Sequence, residues 1–223
     1  MNMTTNATTE AQTHLEQGNV LLKQGLLTEA ITCYQQALTL NPNYASAHNN
    51  LGTIFSQLGR FEEAIACYQQ ALRADSNYVQ AYSNLGNVFS GMGKLEEAMN
   101  CYQHALTLNP HSVQAHNNLG ALFTKRGQLA EAVAHYQQIL TLNPKDAEVC
   151  SRLGTILWKM GKLTEAIAGF QQVLTINPHE VQTRIFLALS LTSLGRVAEA
   201  IAHYRRVAND TMMPTAALLL TLN

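Results

Sequence analysis

The chain repeats itself every 34 residues. Asn-Leu-Gly recurs at Asn50–Gly52, Asn84–Gly86 and Asn118–Gly120, and Asn-Pro at Asn41–Pro42, Asn109–Pro110, Asn143–Pro144 and Asn177–Pro178. Between them runs a block of the form Gly-x-hydrophobic-x-Glu-Ala-x-x-x-aromatic, as in Gly59 to Tyr68 and Gly127 to Tyr136. A fixed period of this size marks one small unit that buries its apolar face only against its neighbours. Such chains are surfaces for holding other proteins far more often than vessels for chemistry. Six units fill residues 11–214, as 11–44, 45–78, 79–112, 113–146, 147–180 and 181–214. Residues 1–10 read as a disordered polar tail, and residues 215–223 as a helical tail or the start of a further repeat.

Charge narrows the choice of partners. Charged residues make up 13% of the chain, about half the usual share, and the net charge is −1. Asn, Gln, Thr and Ser fill the polar positions instead. Such a surface has no field with which to gather nucleic acid or an anionic membrane. Residues 1–10 lack the apolar core of a signal peptide, and no run of apolar residues is long enough to span a bilayer. Three of the four cysteines, Cys33, Cys67 and Cys101, stand one period apart, and no Cys-x-x-Cys is present. Repeat placement accounts for them without a disulfide framework. A reduced, cytoplasmic setting is the expectation.

Residues 79–112 show how one unit folds. From Gln80 to Met92 the apolar residues fall at Ala81, Leu85, Val88 and Phe89, three and four apart, which predicts a helix. Gly93 breaks that run and is free to take positive φ at a turn. A second helix follows, with Leu95, Ala98, Met99, Tyr102, Ala105 and Leu106 at the same spacing. Pro110 stops it, because proline disfavours helix in the residue before it. Helices of about 13 residues are marginal alone, so the hairpins must stack. Gly52, Gly86, Gly120 and Gly154 are expected where a facing helix comes close. Ala30, Ala64, Ala98, Ala132, Ala166 and Ala200 are the matching small residues of the second helix. The aromatic series Tyr34, Tyr68, Tyr102, Tyr136, Phe170 and Tyr204 is expected to reach outward onto the next hairpin.

These residues resemble the tetratricopeptide repeat, whose pattern is Trp-x-x-Leu-Gly-x-x-Tyr followed by Ala, an aromatic, Ala and Pro. Residues 48–55 and 82–89 match all but the leading Trp, and Ala98, Tyr102 and Ala105 match the later series. Departures stand at Ser76, where Pro is expected, and at Gln17 and Ala188 in the end repeats. The resemblance implies an all-α, right-handed α-solenoid of six 34-residue helix-turn-helix repeats. It also implies that the first helix of each hairpin lines a concave face.

On that face the best-conforming units place Ser46, Asn49, Asn50, Thr53, Ser56 and Gln57, then Gln80, Ser83, Asn84, Asn87 and Ser90, then Gln114, Asn117, Asn118, Thr124 and Lys125. Amides offer donors and acceptors that match the backbone of an extended peptide. Asn50, Asn84 and Asn118 resemble the asparagine ladder of the repeat superhelix in O-linked N-acetylglucosamine transferases. The plain alternative is that they bond only a neighbouring helix or water. Arg152 replaces the ladder Asn in the fifth repeat and Trp158 follows it, both residue types enriched at binding hot spots. A solvated Arg152 and a Trp158 covering a seam between repeats are the alternatives. Asn87, Asn118 and Arg152 also resemble part of the carboxylate clamp of chaperone adaptors. The two clamp lysines are Ser83 and Glu148 here, which argues against a chaperone-tail receptor.

Little points to catalysis, a cofactor or a metal. His14, His48 and His116 occupy the position of the bulky aromatic and read as packing residues, while His135 and His203 take the place of Cys33, Cys67 and Cys101. Glu62–Glu63 and Glu96–Glu97 are carboxylates favoured at a helix start rather than an acid–base couple. The expectation is a non-enzymatic scaffold that holds a protein or peptide segment, without nucleic acid, membrane or cofactor. One alternative is the targeting portion of a larger transferase or methylase; another is self-assembly through Leu218–Leu222.

Overall fold

The computed structural model describes the backbone of residues 2–220 and the side chains of residues 8–210. Twelve helices are found among the described residues: α1 (Asn2–Lys23), α2 (Leu27–Leu40), α3 (Ala45–Gln57), α4 (Phe61–Ala74), α5 (Val79–Gly91), α6 (Leu95–Leu108), α7 (Val113–Lys125), α8 (Leu129–Leu142), α9 (Ala147–Lys159), α10 (Leu163–Ile176), α11 (Val181–Ser193) and α12 (Val197–Leu220). The described residues are all-α, with consecutive helices paired as helix-turn-helix hairpins. α1 reaches back to Asn2, into the segment expected as a tail, and α12 continues past Pro214. Adding a residue to an existing helix costs far less than nucleating one. The side chains of Leu218–Leu222 lie outside the described residues.

Each hairpin turns on one glycine. Gly25, Gly59, Gly93, Gly127, Gly161 and Gly195 all have φ between 73° and 78°, a left-handed conformation that costs other residues about 1–2 kcal/mol. At the end of α3 the Gly59 N–H donates to the Ser56 carbonyl at 3.1 Å and the Arg60 N–H to the Phe55 carbonyl at 2.8 Å. That pair satisfies two carbonyls that the helix leaves open. The Arg60 guanidinium then sits 4.4 Å above the Phe55 ring, holding the entry to α4.

Between hairpins an asparagine or aspartate shapes the loop. Asn43 N–H donates to Asn41 Oδ1 at 3.2 Å, Asn77 N–H to Asp75 Oδ1 at 2.9 Å, and His111 N–H to Asn109 Oδ1 at 3.1 Å. This turn needs the side-chain oxygen and not the proline, so Ser76 in place of Pro leaves it intact. The histidines do more than pack. His48 Nε2 lies 2.9 Å from the Pro42 carbonyl and His116 Nε2 2.9 Å from the Pro110 carbonyl. A carbonyl only accepts, so each ring carries its proton on Nε2 and pins the preceding loop. Arg184 does the same to the Pro178 carbonyl.

The chain forms two compact units, residues 1–118 and 119–223. In the first, α2 packs on α3 and α4 on α5 across hairpins, over a core that includes Leu51, Ile54, Leu85 and Val88. In the second, α8 packs on α9 and α10 on α11, with cores around Ile139, Ile156, Leu157 and Leu187. The aromatic series does not behave as expected. Five of the six rings lie on the glycine of their own hairpin, Tyr34 on Gly18, Tyr68 on Gly52, Tyr102 on Gly86, Tyr136 on Gly120 and Phe170 on Gly154. The glycine therefore makes room for a ring, not for a facing backbone.

All four cysteines are free. Burial pushes the Cys67 and Cys101 thiols up to about 11, and the Glu63 and Glu97 carboxylates add to the effect. At pH 8 about one such thiol in a thousand is ionised, so a disulfide reagent should label both roughly 100-fold more slowly than free cysteine. Denaturation should abolish the difference. Rapid labelling of the folded protein would show that the two thiols are not shielded.

Candidate functional site

The leading helices place the amides singled out in the sequence side by side, but much of their bonding runs between repeats. Asn19 Oδ1 accepts from the Tyr34 hydroxyl at 2.8 Å and from Asn50 Nδ2 at 2.8 Å. Two periods on, Asn87 Oδ1 accepts from the Tyr102 hydroxyl at 2.8 Å and from Asn118 Nδ2 at 2.7 Å. Each cluster joins the two helices of one hairpin to the leading helix of the next. The intervening repeat has Thr53 in place of the accepting amide. Its hydroxyl donates to the Asn49 carbonyl at 3.1 Å, and the Tyr68 hydroxyl reaches it at 3.3 Å. Asn84 Nδ2 turns instead to Asn49 Oδ1 at 3.0 Å, and Asn49 Nδ2 donates to Asn50 Oδ1 at 3.2 Å.

Exposure separates these residues. Asn49 and Ser83, expected on the open face, are 6% and 0% exposed. Both stand at the fifth position of the repeat, and Asn49 is met there by Asn84 of the next hairpin. Asn50, Asn84, Asn117 and Asn118 are half-buried, and Asn87 is exposed. A primary amide has two N–H donors and an oxygen with two lone pairs. One N–H committed to the preceding repeat therefore leaves capacity toward solvent, and holds the amide in a fixed orientation. The residues missed by sequence reasoning are Asn19, Tyr34 and Tyr102. Their signal was present in the paired amides at the ninth repeat position, Asn19 and Asn87, each followed 15 residues later by a tyrosine.

In the second unit the candidate residues divide. Arg152 is exposed and pairs with Glu148, Nη2 to Oε1 at 2.6 Å and Nε to Oε1 at 3.2 Å. That carboxylate, together with the Tyr136 hydroxyl, raises the pKa of the guanidinium above its ordinary value. Trp158 is half-buried and meets Phe186 edge-on, ring centroids 5.4 Å apart. Phe186 in turn stacks on Phe170 at 5.8 Å. Apolar Phe186 is thus part of the packing between hairpins, and Trp158 borders it. Leu189 is 38% exposed.

Among the described residues no three His, Cys, Asp or Glu side chains gather as a metal site. No helix among them is long and apolar enough to cross a membrane.

A family model described as the cilia and flagella-associated protein 70 C-terminal domain matches residues 1–217. No curated protein matches the sequence significantly. Among solved structures, PilF of Pseudomonas aeruginosa is similar with a TM-score of 0.79 at 19% identity, over 92% of this chain and 93% of that one. YrrB, described as a TPR protein with an unusual peptide-binding site, is similar with a TM-score of 0.70 at 23% identity, over 85% and 98%. MamA of Desulfovibrio magneticus RS-1 is similar with a TM-score of 0.68 at 20% identity, over 76% and 96%. At these identities the likeness concerns the fold.

Proposed function

Because the chain belongs to the tetratricopeptide family represented by the cilia and flagella-associated protein 70 C-terminal domain, we propose that it is a non-catalytic scaffold binding an extended polypeptide on the face of its leading helices. The observation that carries this reading is the pair of amide clusters at Asn19–Asn50 and Asn87–Asn118, held in place by tyrosine hydroxyls. Amides fixed in advance bind a peptide backbone without the ordering cost of a mobile side chain. They neither give up nor take a proton near neutral pH, so the face suits binding rather than turnover. The description of YrrB as a peptide-binding TPR protein supports the same use of the fold. We assign the partner contacts to Asn50, Asn84, Asn87, Asn117 and Asn118 in the first unit and to Arg152 and Trp158 in the second. Buried Asn49 acts by orienting Asn50 and Asn84. The four free thiols fit a reducing, cytoplasmic setting.

Each such hydrogen bond nets about 0.5–1.5 kcal/mol, and association costs about 4 kcal/mol or more. Binding by backbone contacts alone should therefore be weak and sequence-tolerant, with Kd of roughly micromolar to millimolar. Members of a random decapeptide library, measured by fluorescence anisotropy, should bind in that range. Changing Asn50, Asn84 and Asn118 together to Ala should weaken them by about tenfold or more. Since those amides also tie repeats together, Ser56→Arg/Ser90→Arg serves as a second variant that crowds the face and leaves the clusters in place. Unchanged affinities in both variants would end the proposal.

A further inference from the structure

The sixth repeat places charge where other repeats place packing. Arg184 stands at the position of His48 and His116, and His203 at that of Cys33 and Cys101. Arg184 is only 4% exposed. Its Nη2 donates to the Pro178 carbonyl, but its Nε–H has no hydrogen-bond partner among the described residues, and neither has the buried Nδ1 of His203. Both side chains line one cavity of about 270 Å³, together with Gln171, Thr175, Leu187 and Arg206 among others. We infer that this cavity binds a phosphate group, as the free ion or on a phosphorylated side chain. None of its lining residues is assigned to the peptide above, so the inference stands apart from that reading.

A buried guanidinium is costly unless its charge is paired and its N–H groups are bonded. Asp210 Oδ2 lies 3.9 Å from Arg184 Nε, close enough to offset charge and too far for a hydrogen bond. The same carboxylate is shared with His179, Oδ1 to Nδ1 at 3.8 Å. Glu199 is held by Arg196 through two contacts of 2.7 Å. Arg184 and Arg206 against Asp210 therefore leave one positive charge at the cavity. α10 contributes only the uncharged Gln171, Leu174 and Thr175 to its wall. Burial, with Arg184 and Arg206 beside it, lowers the pKa of His203 against a smaller opposing pull from Glu199, so the ring is mainly neutral at pH 7. A carboxylate only accepts hydrogen bonds. Hydrogen phosphate both donates and accepts, so it satisfies His203 Nδ1 in either tautomer. Its other oxygens are acceptors for the Arg184 Nε–H and for exposed Arg206, whose planar fork suits phosphate.

Nuclear magnetic resonance of the ¹⁵N-labelled protein tests this. Inorganic phosphate at pH 7 should shift the His203 ring resonances saturably, with Kd of roughly millimolar, and acetate at matched ionic strength should not. Phosphate should also raise the pH midpoint of the His203 ring, because a bound anion favours the imidazolium. Arg206→Gln should weaken phosphate by about tenfold. Arg205→Gln, its neighbour outside the cavity wall, should leave the affinity unchanged. Both arginines are exposed, so neither change threatens the fold, whereas Arg184→Gln would also free the Pro178 carbonyl. N-acetylphosphoserine amide separates the sources. Tighter binding than inorganic phosphate assigns the cavity to a phosphorylated side chain, and weaker binding to the free ion. An unsaturable response, an equal response to acetate, an unmoved His203 midpoint or equal losses in the two arginine variants would overturn the inference.

Discussion

Valine in place of Gly86 is expected to destabilise the α5–α6 hairpin by about 2–3 kcal/mol, at the upper end of the cost of overfilling a packed core. A Cβ built on Gly86 lies 2.6 Å from Tyr102 Cε1, 2.9 Å from Cδ1 and 3.0 Å from Cζ. The ring has nowhere to go, because Tyr102 is only 2% exposed and its hydroxyl is tied to Asn87. The effect should reach beyond the hairpin. Stability in stacked repeats comes from nearest-neighbour interfaces, so weakening α5–α6, the third hairpin of the first unit, should loosen the neighbouring α4 and the start of α7 as well. Hydrogen exchange resolved by peptide would show faster exchange in α4 to α7, and urea unfolding a lower midpoint. Protection in α5 and α6 equal to that of the unaltered protein would show that the ring contact is not what holds the hairpin closed.

The loss of Tyr102 is expected to be larger. Tyr102→Ala removes a buried ring and opens a cavity against Gly86, costing about 3–5 kcal/mol by the usual scale for large-to-small aromatic changes. It also takes from Asn87 Oδ1 one of its two donors. Tyr102→Phe keeps the ring and removes only that hydrogen bond, so its cost should be about 0.5–1.5 kcal/mol. The difference between the two variants separates packing from the polar cluster. Gly86→Val and Tyr102→Ala should also be less than additive, since the cavity left by one change accommodates the side chain added by the other. Full additivity in urea titrations would show that the two residues do not share a contact. Peptide affinity gives a second reading of Tyr102→Phe. If the hydroxyl holds Asn87 for its partner, binding should weaken more than the small change in stability explains.

The period, the hairpin and the turns were legible in the residues because each depends on near neighbours in the chain. Gly59 stops α3 through its own φ, and Asp75 shapes its loop through an amide two residues away. The spacing of Leu85, Val88 and Phe89 defines an apolar stripe whatever lies opposite. These features belong to one unit and recur with it. Even the departure at Ser76 was harmless for a local reason, since the aspartate before it carries the turn.

What the chain alone did not decide is which neighbour each side chain meets once hairpins stack. The tyrosines were expected to face the next repeat, yet their rings, Tyr204 aside, settle on the glycines of their own hairpins and only their hydroxyls reach the junction. Asn49 and Ser83 have the composition of an open polar face, but stacking leaves both buried. Asn19 lay in a repeat whose leading helix departs from the pattern, and its role appears only when Tyr34 and Asn50 converge on it from 15 and 31 residues away. The cavity beside Arg184 is lined from α10, α11 and α12, by residues that lie far apart in sequence and meet at one junction. Periodicity thus determined the architecture of the repeat, because helix and turn formation are local. Tertiary packing determined which amides became struts and which remained turned toward solvent, because burial is set by the distance and angle between hairpins and not by any residue within one.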